Sequence, residues 1–185
     1  MELSCKIIAG VRNKQDFLTA LKSPVEIIFL LNSQNILNID DIITLAHRAG
    51  KKVFIHFDFL DGVGKDKYGI RYLKNKGADG IISTKTNLIL LAKEEGLLTV
   101  QRFFIVDSKA ISTAFDSLTM SKPDMVEIMP GIMPEVISNF VKSVKPLVIA
   151  GGLISTKNQI LQGLNAGAFA VSTGNSDLWY DDAKR

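Results

Sequence analysis

Short apolar runs alternate with longer segments of helical periodicity along the whole chain. The short runs are rich in Val, Ile and Phe, which suit a buried, pleated surface, so they predict β-strands. Eight strands are predicted: Cys5–Val11, Val25–Asn32, Lys52–Leu60, Gly80–Thr84, Leu98–Asp107, Met125–Pro130, Leu147–Gly151 and Phe169–Thr173. Six helices are predicted between them: Asn38–Ala49, Asp66–Lys76, Thr86–Glu95, Ser108–Lys122, Pro134–Val144 and Ser155–Ala166.

The ends of these helices carry residues that favour starts and stops. Asn38, Asp107 and Ser155 are predicted N-caps, because short polar side chains can accept a bond from the first free backbone N–H groups. Four glycines are predicted to end helices, because glycine adopts the left-handed conformation that closes a last turn. They are Gly50, Gly77, Gly96 and Gly167. The pattern leaves a helix between the first two strands, and one after Thr173, undefined.

Strict alternation of strand and helix requires parallel strands joined by right-handed crossovers. Eight repeats favour an α/β fold closed as a compact (β/α)8 TIM-type barrel, with residues 1–185 forming one domain. The competing open, doubly wound sheet would place a glycine-rich phosphate loop after the first strand. That strand ends Ala9-Gly10-Val11-Arg12, which lacks the motif.

Composition narrows the class of protein. The chain has 185 residues, 46% of them hydrophobic and 22% charged, as in globular proteins. With one cysteine, no signal-peptide pattern and no apolar run near the ~20 residues that span a bilayer, we expect a cytoplasmic protein without membrane contact. A net charge of +3 neither requires nor excludes a nucleic-acid partner, and the sequence leaves the oligomeric state open.

Strand periodicity predicts which polar side chains face the barrel interior. In the third strand, Val53, Ile55, Phe57 and Phe59 suit the helix-facing side, so His56 and Asp58 are expected to point inward at the C-terminal mouth. In the sixth strand, Glu127 shares a face with Met125 and Met129. A buried carboxylate is costly unless paired, and Arg102 on the neighbouring strand is its natural counter-ion. The pair is either purely structural or part of a binding site.

Glycines after the last two strands predict a phosphate cradle. Gly151 and Gly152 follow the seventh strand, and Thr173 and Gly174 follow the eighth, where barrels of this kind hold phosphate. Glycine lets backbone N–H groups approach a ligand closely, and a short helix near Ser176 would add its positive end. The alternative is a set of tight turns without a ligand.

Basic residues are concentrated in one predicted helix, where Lys67, Arg71 and Lys74 share a stripe. The stripe is either a contact surface for a nucleic-acid backbone or an ordinary solvated face, and charge alone favours the solvated face. Lys85, just after the fourth strand, is a candidate anion contact. No nucleophile elbow, Walker loop or zinc-protease motif is present, and two histidines with one cysteine make a metal site or cofactor unexpected.

Several segments resemble the glycerol-uptake operon antiterminator family from about Ile7 to Trp179. The most specific are Glu127-Ile128-Met129-Pro130-Gly131 and Ala150-Gly151-Gly152-Leu153-Ile154. The resemblance implies a compact barrel that responds to glycerol 3-phosphate, binds the leader mRNA of a glycerol-catabolism operon and lets transcription pass a terminator. No enzymatic activity is implied.

Two functions are therefore weighed. In the first, a sensor holds phosphate at Gly151, Gly152, Thr173 and Gly174, with Glu127, Arg102, His56, Asp58 and Lys85 contacting hydroxyls or charge, and RNA on the basic stripe. In the second, a small barrel enzyme acts on a phosphorylated triose or glycerol derivative. Eight units of about 23 residues leave little material for a mobile lid, which favours the sensor.

Overall fold

Eight parallel strands close into a barrel in chain order, with the first strand paired to the last, in a computed structural model that describes residues 2–32 and 35–181. The predicted (β/α)8 TIM-type fold is confirmed. The strands are β1 (Ile7–Val11), β2 (Ile27–Leu30), β3 (Lys52–His56), β4 (Gly80–Ser83), β5 (Leu98–Phe104), β6 (Met125–Met129), β7 (Leu147–Gly151) and β8 (Ala170–Thr173). The helices are α1 (Lys14–Lys22), α2 (Ile39–Arg48), α3 (Lys67–Asn75), α4 (Thr86–Glu94), α5 (Ser108–Ser121), α6 (Pro134–Ser143) and α7 (Lys157–Asn165).

The helix ends agree with the sequence in part. Asp107 caps α5, because its carboxylate accepts from the backbone N–H of Ala110 at 2.7 Å, and all four predicted glycine stops have positive φ. The prediction that Ser155 caps α7 is wrong. Thr156 occupies that position in a reciprocal capping box with Gln159. Asn38 precedes α2, but its side chain makes no capping bond.

The strands separate two apolar clusters, as the alternation of buried positions requires. Val53 and Ile55 pack against the helices, whereas Phe54 lies in the barrel interior. The interior cluster also contains Ile8, Ile27, Phe29, Ile82, Val100, Met125, Ile149 and Ala170. This apolar plug fills the lower barrel, so polar side chains near the C-terminal ends of the strands are confined to the mouth.

The third strand is shorter than predicted, because the chain leaves the sheet after His56 and forms a 3-10 turn over Phe57–Phe59. The prediction that Asp58 points inward from the strand is therefore wrong. So is the helix-facing position of Phe59, whose ring is 52% exposed.

A 3-10 helix over Ser176–Tyr180 stands where an eighth helix would be. Leu178 and Trp179 are buried in the outer core, and the segment contacts α1 and β1. The indole Nε1 of Trp179 donates to the carbonyl of Thr173 at 2.9 Å. These residues therefore close the barrel wall. No helix within residues 2–32 and 35–181 has the length and apolarity needed to cross a bilayer.

Candidate ligand-binding site

A cavity of about 600 Å³ opens at the C-terminal mouth, on the side formed by β1, β6, β7 and β8. Its walls combine strand-end side chains with the loops after β7 and β8. It is lined by Gly10, Arg12, Leu31, Arg102, Glu127, Met129, Gly152, Leu153, Ile154, Ser155, Ser172, Thr173, Gly174 and Asn175. This is the end of a barrel where ligands bind, and the volume suits a small molecule.

A buried ion pair forms the cavity floor. Arg102 and Glu127 are register partners on β5 and β6, and Arg102 Nε donates to Glu127 Oε2 at 2.6 Å. The two side chains are 6% and 1% exposed. The other carboxylate oxygen accepts from Ser172 Oγ at 2.5 Å. Glu127 lies on the inward face that the strand pattern predicted, and Arg102 faces the interior too, which was the condition for the expected pairing. Ser172 was missed, although the period-2 pattern places it on the same face of β8 as the interior Ala170.

Gly151 makes room for this carboxylate. A Cβ atom at Gly151 would lie 2.3 Å from Glu127 Oε1 and 2.6 Å from Ser172 Oγ. Both distances are far below contact distance, so any larger residue would displace the ion pair or the strand. Gly151 itself is not among the residues that line the cavity, so its predicted contact with phosphate stays a prediction.

The loops after β7 and β8 form the predicted glycine-rich wall. Gly152 has φ +77°, a conformation that glycine adopts without steric cost. The Thr173 hydroxyl donates to the carbonyl of Ile154 at 2.7 Å and accepts from the N–H of Asn175 at 3.1 Å, which ties the two loops together. The helix expected near Ser176 is only a short 3-10 turn, and Asn175 caps it by accepting from the N–H of Asp177.

Arg12 adds a cation that the sequence argument missed. Its guanidinium Nη2 donates to the carbonyl of Gly174 at 3.3 Å, across 162 positions of the chain, and the side chain is exposed at the cavity edge. An exposed guanidinium beside a glycine loop can pair with a phosphate through charge-assisted hydrogen bonds. Arg12 directly follows the first strand, and this position at the C-terminal end of a barrel strand could have identified it as a site residue.

His56 is a buried ring without a polar partner. It is 2% exposed, and neither ring nitrogen has a hydrogen-bond partner among the described residues. The ring stacks on Phe59 with centroids 4.5 Å apart. Burial, reinforced by the positive charge of Arg102, lowers the pKa of His56 to about 4. The ring is therefore neutral at pH 7, with one donor and one acceptor. Both ring nitrogens are buried and His56 does not line the cavity, so its predicted contact with a ligand hydroxyl stays a prediction.

Asp58 is occupied by the neighbouring loop. Its carboxylate accepts from Ser83 Oγ at 2.6 Å and from the N–H and hydroxyl of Thr84, both at 2.9 Å. Burial opposes ionisation, but these hydrogen bonds outweigh it and lower the pKa of Asp58. Lys85 follows as the exposed residue at the start of α4. Neither lines the cavity, so the structure does not bring Asp58 and Lys85 together with the glycine-rich wall.

The sequence model of the glycerol-3-phosphate responsive antiterminator family matches residues 7–179. The chain belongs to this family. It is 36% identical over 174 residues to the uncharacterized protein YgcP of Escherichia coli (strain K12), covering 94% of this chain and 91% of that protein. Two solved structures are also similar, one named as a glycerol uptake operon antiterminator regulatory protein and the other as a glycerol uptake operon antiterminator-related protein.

The first of these structures is the regulatory protein from Listeria monocytogenes, with a TM-score of 0.90 and 34% identity over 97% of this chain and 98% of that one. The second is an antiterminator-related protein from Thermotoga maritima, with a TM-score of 0.84 and 32% identity over 96% and 99%. The family resemblance found in the sequence is thereby confirmed.

In this antiterminator-family chain, the predicted basic stripe is mostly engaged in packing α3 against α4. Arg71 Nε and Nη2 donate to the two carboxylate oxygens of Glu95 at 3.0 and 2.8 Å. Lys74 Nζ donates to the Glu95 carbonyl at the end of α4. Lys67 lies within electrostatic range of the same carboxylate. The stripe therefore already serves a structural contact, and its use as an RNA surface stays a prediction.

Proposed function

We propose that this chain is a glycerol 3-phosphate responsive transcription antiterminator that binds the leader mRNA of a glycerol-catabolism operon. One observation carries the proposal. In a chain that matches the family from residue 7 to residue 179, a buried ion pair lies on the floor of a small-molecule cavity walled by glycine loops. The ion pair suits a polyhydroxylated ligand, because its remaining N–H donors and carboxylate lone pairs can bond hydroxyl groups at the cavity floor.

We place the phosphate of the ligand at the loops after β7 and β8. At Gly152, Thr173 and Gly174 the backbone N–H groups can approach the phosphate closely. Arg12 supplies the neutralising positive charge at the cavity edge. Gly151 supports this site indirectly by leaving space for Glu127. A phosphate monoester carries nearly two negative charges at pH 7, so the positive Arg12 side chain is an essential part of the site.

We place the glycerol hydroxyls deeper in the mouth, on Glu127 and Arg102, which line the cavity. His56 would join them as a neutral partner only if its buried ring became accessible, because it does not line the cavity. Asp58 contributes by fixing the loop after β4, since its carboxylate already has three donors. Lys85 extends from that loop as a second cation at the mouth.

Thermal-shift and calorimetric titrations test the ligand. Glycerol 3-phosphate should raise Tm in a dose-dependent way and bind more tightly than glycerol or inorganic phosphate, because only the ester engages both parts of the site. Arg12→Ala should weaken the binding of both glycerol 3-phosphate and inorganic phosphate without changing the fold. Lys14→Ala, an exposed cation two residues away and outside the cavity lining, is the matched control. Equal responses to glycerol 3-phosphate and inorganic phosphate would contradict the site.

A gel-shift titration of leader mRNA, with and without glycerol 3-phosphate, tests the regulatory part. Ligand must favour the RNA-competent state, so RNA affinity should rise when ligand is present. No ligand-dependent binding would contradict the antiterminator proposal.

The enzyme alternative is tested by following phosphate esters by nuclear magnetic resonance during long incubation with the protein. The buried carboxylate of Glu127 already accepts from Arg102 and Ser172, and a His56 pKa of about 4 makes that ring a weak base at pH 7. These features favour binding without turnover, and conversion of any ester would favour the enzyme.

A further inference from the structure

Three exposed aromatic rings stand around one side of the barrel mouth. Phe59 is 52% exposed in the turn after β3, Tyr68 is 76% exposed at the start of α3, and Phe104 is 56% exposed at the end of β5. Aromatic rings are usually buried, so a group of them at one end of a fold indicates a contact surface. None of the three lines the cavity near β7 and β8.

The topology places Phe59 and Phe104 near each other, and Tyr68 follows the loop after β3 at the start of α3. β3 and β5 flank β4, so their ends lie about 10 Å apart at the spacing of neighbouring strands. Phe104 continues the inward register of Val100 and Arg102, one level above the ion pair. Phe59 lies flat on His56. The rings therefore form a rim directly above the groups proposed to read the ligand.

Lysines lie between the rings. Burial lowers the pKa of Lys65. The positive charge of Lys85 contributes to the same effect, which shows that the two lysines lie near each other. Lys67 is exposed next to Tyr68. Three carboxylates on this side already accept hydrogen bonds: Asp66 from the N–H groups of Tyr68 and Gly69, Asp107 from Ala110, and Asp58 from the loop after β4. The exposed Asp61 lies within electrostatic range of Lys65, whose Nζ already donates to the carbonyls of Phe57 and Leu60. The outward positive charge of the rim therefore comes from the exposed Lys67 and Lys85.

We propose that this aromatic rim (Phe59, Tyr68 and Phe104 with the exposed Lys67 and Lys85) binds unpaired bases of the leader RNA. The inference rests on the proposed function and identifies the surface that would bind the RNA. Aromatic rings stack on bases exposed in single-stranded loops, and interleaved cations hold the backbone, which is how proteins recognise unpaired RNA. The combination fits a single-stranded polyanion better than the α3 stripe, where Arg71 and Lys74 are held by the end of α4.

The location also supplies a route from ligand to RNA. Ligand that contacts His56 or Arg102 would change the support beneath these rings, because Phe59 stacks on His56 and Phe104 is two positions beyond Arg102 on the same face of β5. The two ligands would then share one end of the barrel, and each would raise the affinity of the other by the same factor.

Fluorescence anisotropy of labelled leader RNA, at saturating glycerol 3-phosphate, tests the rim. Tyr68→Ala and Phe104→Ala should each weaken RNA binding by about tenfold, and Phe59→Leu by a similar factor, since each removes a stacking surface. Tyr68→Ala and Phe104→Ala should keep the Tm response to glycerol 3-phosphate. Met120→Ala is the matched control, because this 61% exposed side chain lies near the end of α5, at the opposite end of the barrel.

Three outcomes would overturn the rim, and one of them would overturn the proposed function as well. If the rim variants bind RNA like the wild type while Lys122→Ala or Lys145→Ala loses it, the RNA lies at the opposite end. If light scattering shows that the rim variants change the number of chains per particle, the rim is an interface between copies. If the wild-type chain binds no leader RNA while ligand binding persists, the proposed function fails together with the rim.

Discussion

Arg102 Nε lies 2.6 Å from Glu127 Oε2 at matching levels of adjacent strands, with both side chains nearly inaccessible to solvent. Removing two charges from water is costly, and the cost is recovered only while both partners and the Ser172 hydroxyl are present. Replacing either partner alone should therefore lower the free energy of unfolding more than replacing both together.

Arg102→Met alone should lower the free energy of unfolding by about 3–5 kcal/mol, because Glu127 is left buried and uncompensated. The double variant Arg102→Met with Glu127→Gln should lose less than Arg102→Met alone. Urea denaturation of the two single variants and the double variant measures this coupling. Strictly additive losses would show that the pair does not act as a unit.

Two glycine substitutions should separate support from binding. Gly151→Ala places Cβ against the Glu127 carboxylate and should cost about 1–3 kcal/mol of stability. In Gly174→Ala, the new Cβ meets only the flexible end of Arg12, at 2.4 Å, so the fold should be kept. The guanidinium should be displaced, and the affinity for glycerol 3-phosphate should fall by about tenfold. Chemical denaturation and calorimetry check the two effects, and similar losses of stability in both variants would contradict this distinction.

Stability should fall as pH drops from about 6.5 to about 4 because of His56. In that range the unfolded chain protonates this ring and the folded chain does not, since the folded pKa is lowered to about 4. The full effect is roughly 3 kcal/mol at the acid end, and it disappears above pH 6.5. His56→Leu should flatten the dependence in a series of urea titrations, whereas His47→Gln, which removes the other histidine, should retain it. An unchanged slope in His56→Leu would contradict this assignment.

Charge reversal of the basic stripe on α3 should lower the stability of the fold, whether or not the stripe binds RNA. Replacing Lys67, Arg71 and Lys74 together with Glu places like charges against Glu95 and should lower Tm, because Arg71 and Lys74 both bond to that residue. Lys67→Glu alone should change Tm much less. Thermal unfolding of the single and triple variants measures the difference, and an unchanged Tm in the triple variant would mean that the contacts to Glu95 contribute little.

Period-2 alternation predicted the polar floor of the site correctly. Arg102 and Glu127 lie where the strand pattern places them, because a strand that continues to its predicted end keeps its faces. The same argument failed at Asp58 and Phe59. Their alternation with Phe57 imitates a strand, but the chain turns after His56, where Leu60 N–H bonds to the Phe57 carbonyl. A turn of this kind depends on contacts with the next loop, which the local pattern does not contain.

Long-range partners were the other limit. Arg12 reaches Gly174 across almost the whole chain, and Arg71 is held by a carboxylate 24 positions away. The sequence showed that both cations exist and that Arg71 shares a helix face with Lys67. Which acceptor each one meets follows only from closure of the barrel and from packing of adjacent helices.

The bond between the Trp179 indole and the Thr173 carbonyl gives the chain an intrinsic optical reporter. The sequence contains one tryptophan, so its emission arises from a single, fully buried ring attached to the strand end beside the proposed phosphate loop. A change in the polarity or rigidity of that strand end alters the fluorescence of this ring directly. If the ligand binds at that loop, we expect stopped-flow measurements of this tryptophan emission to report its arrival in unlabelled protein.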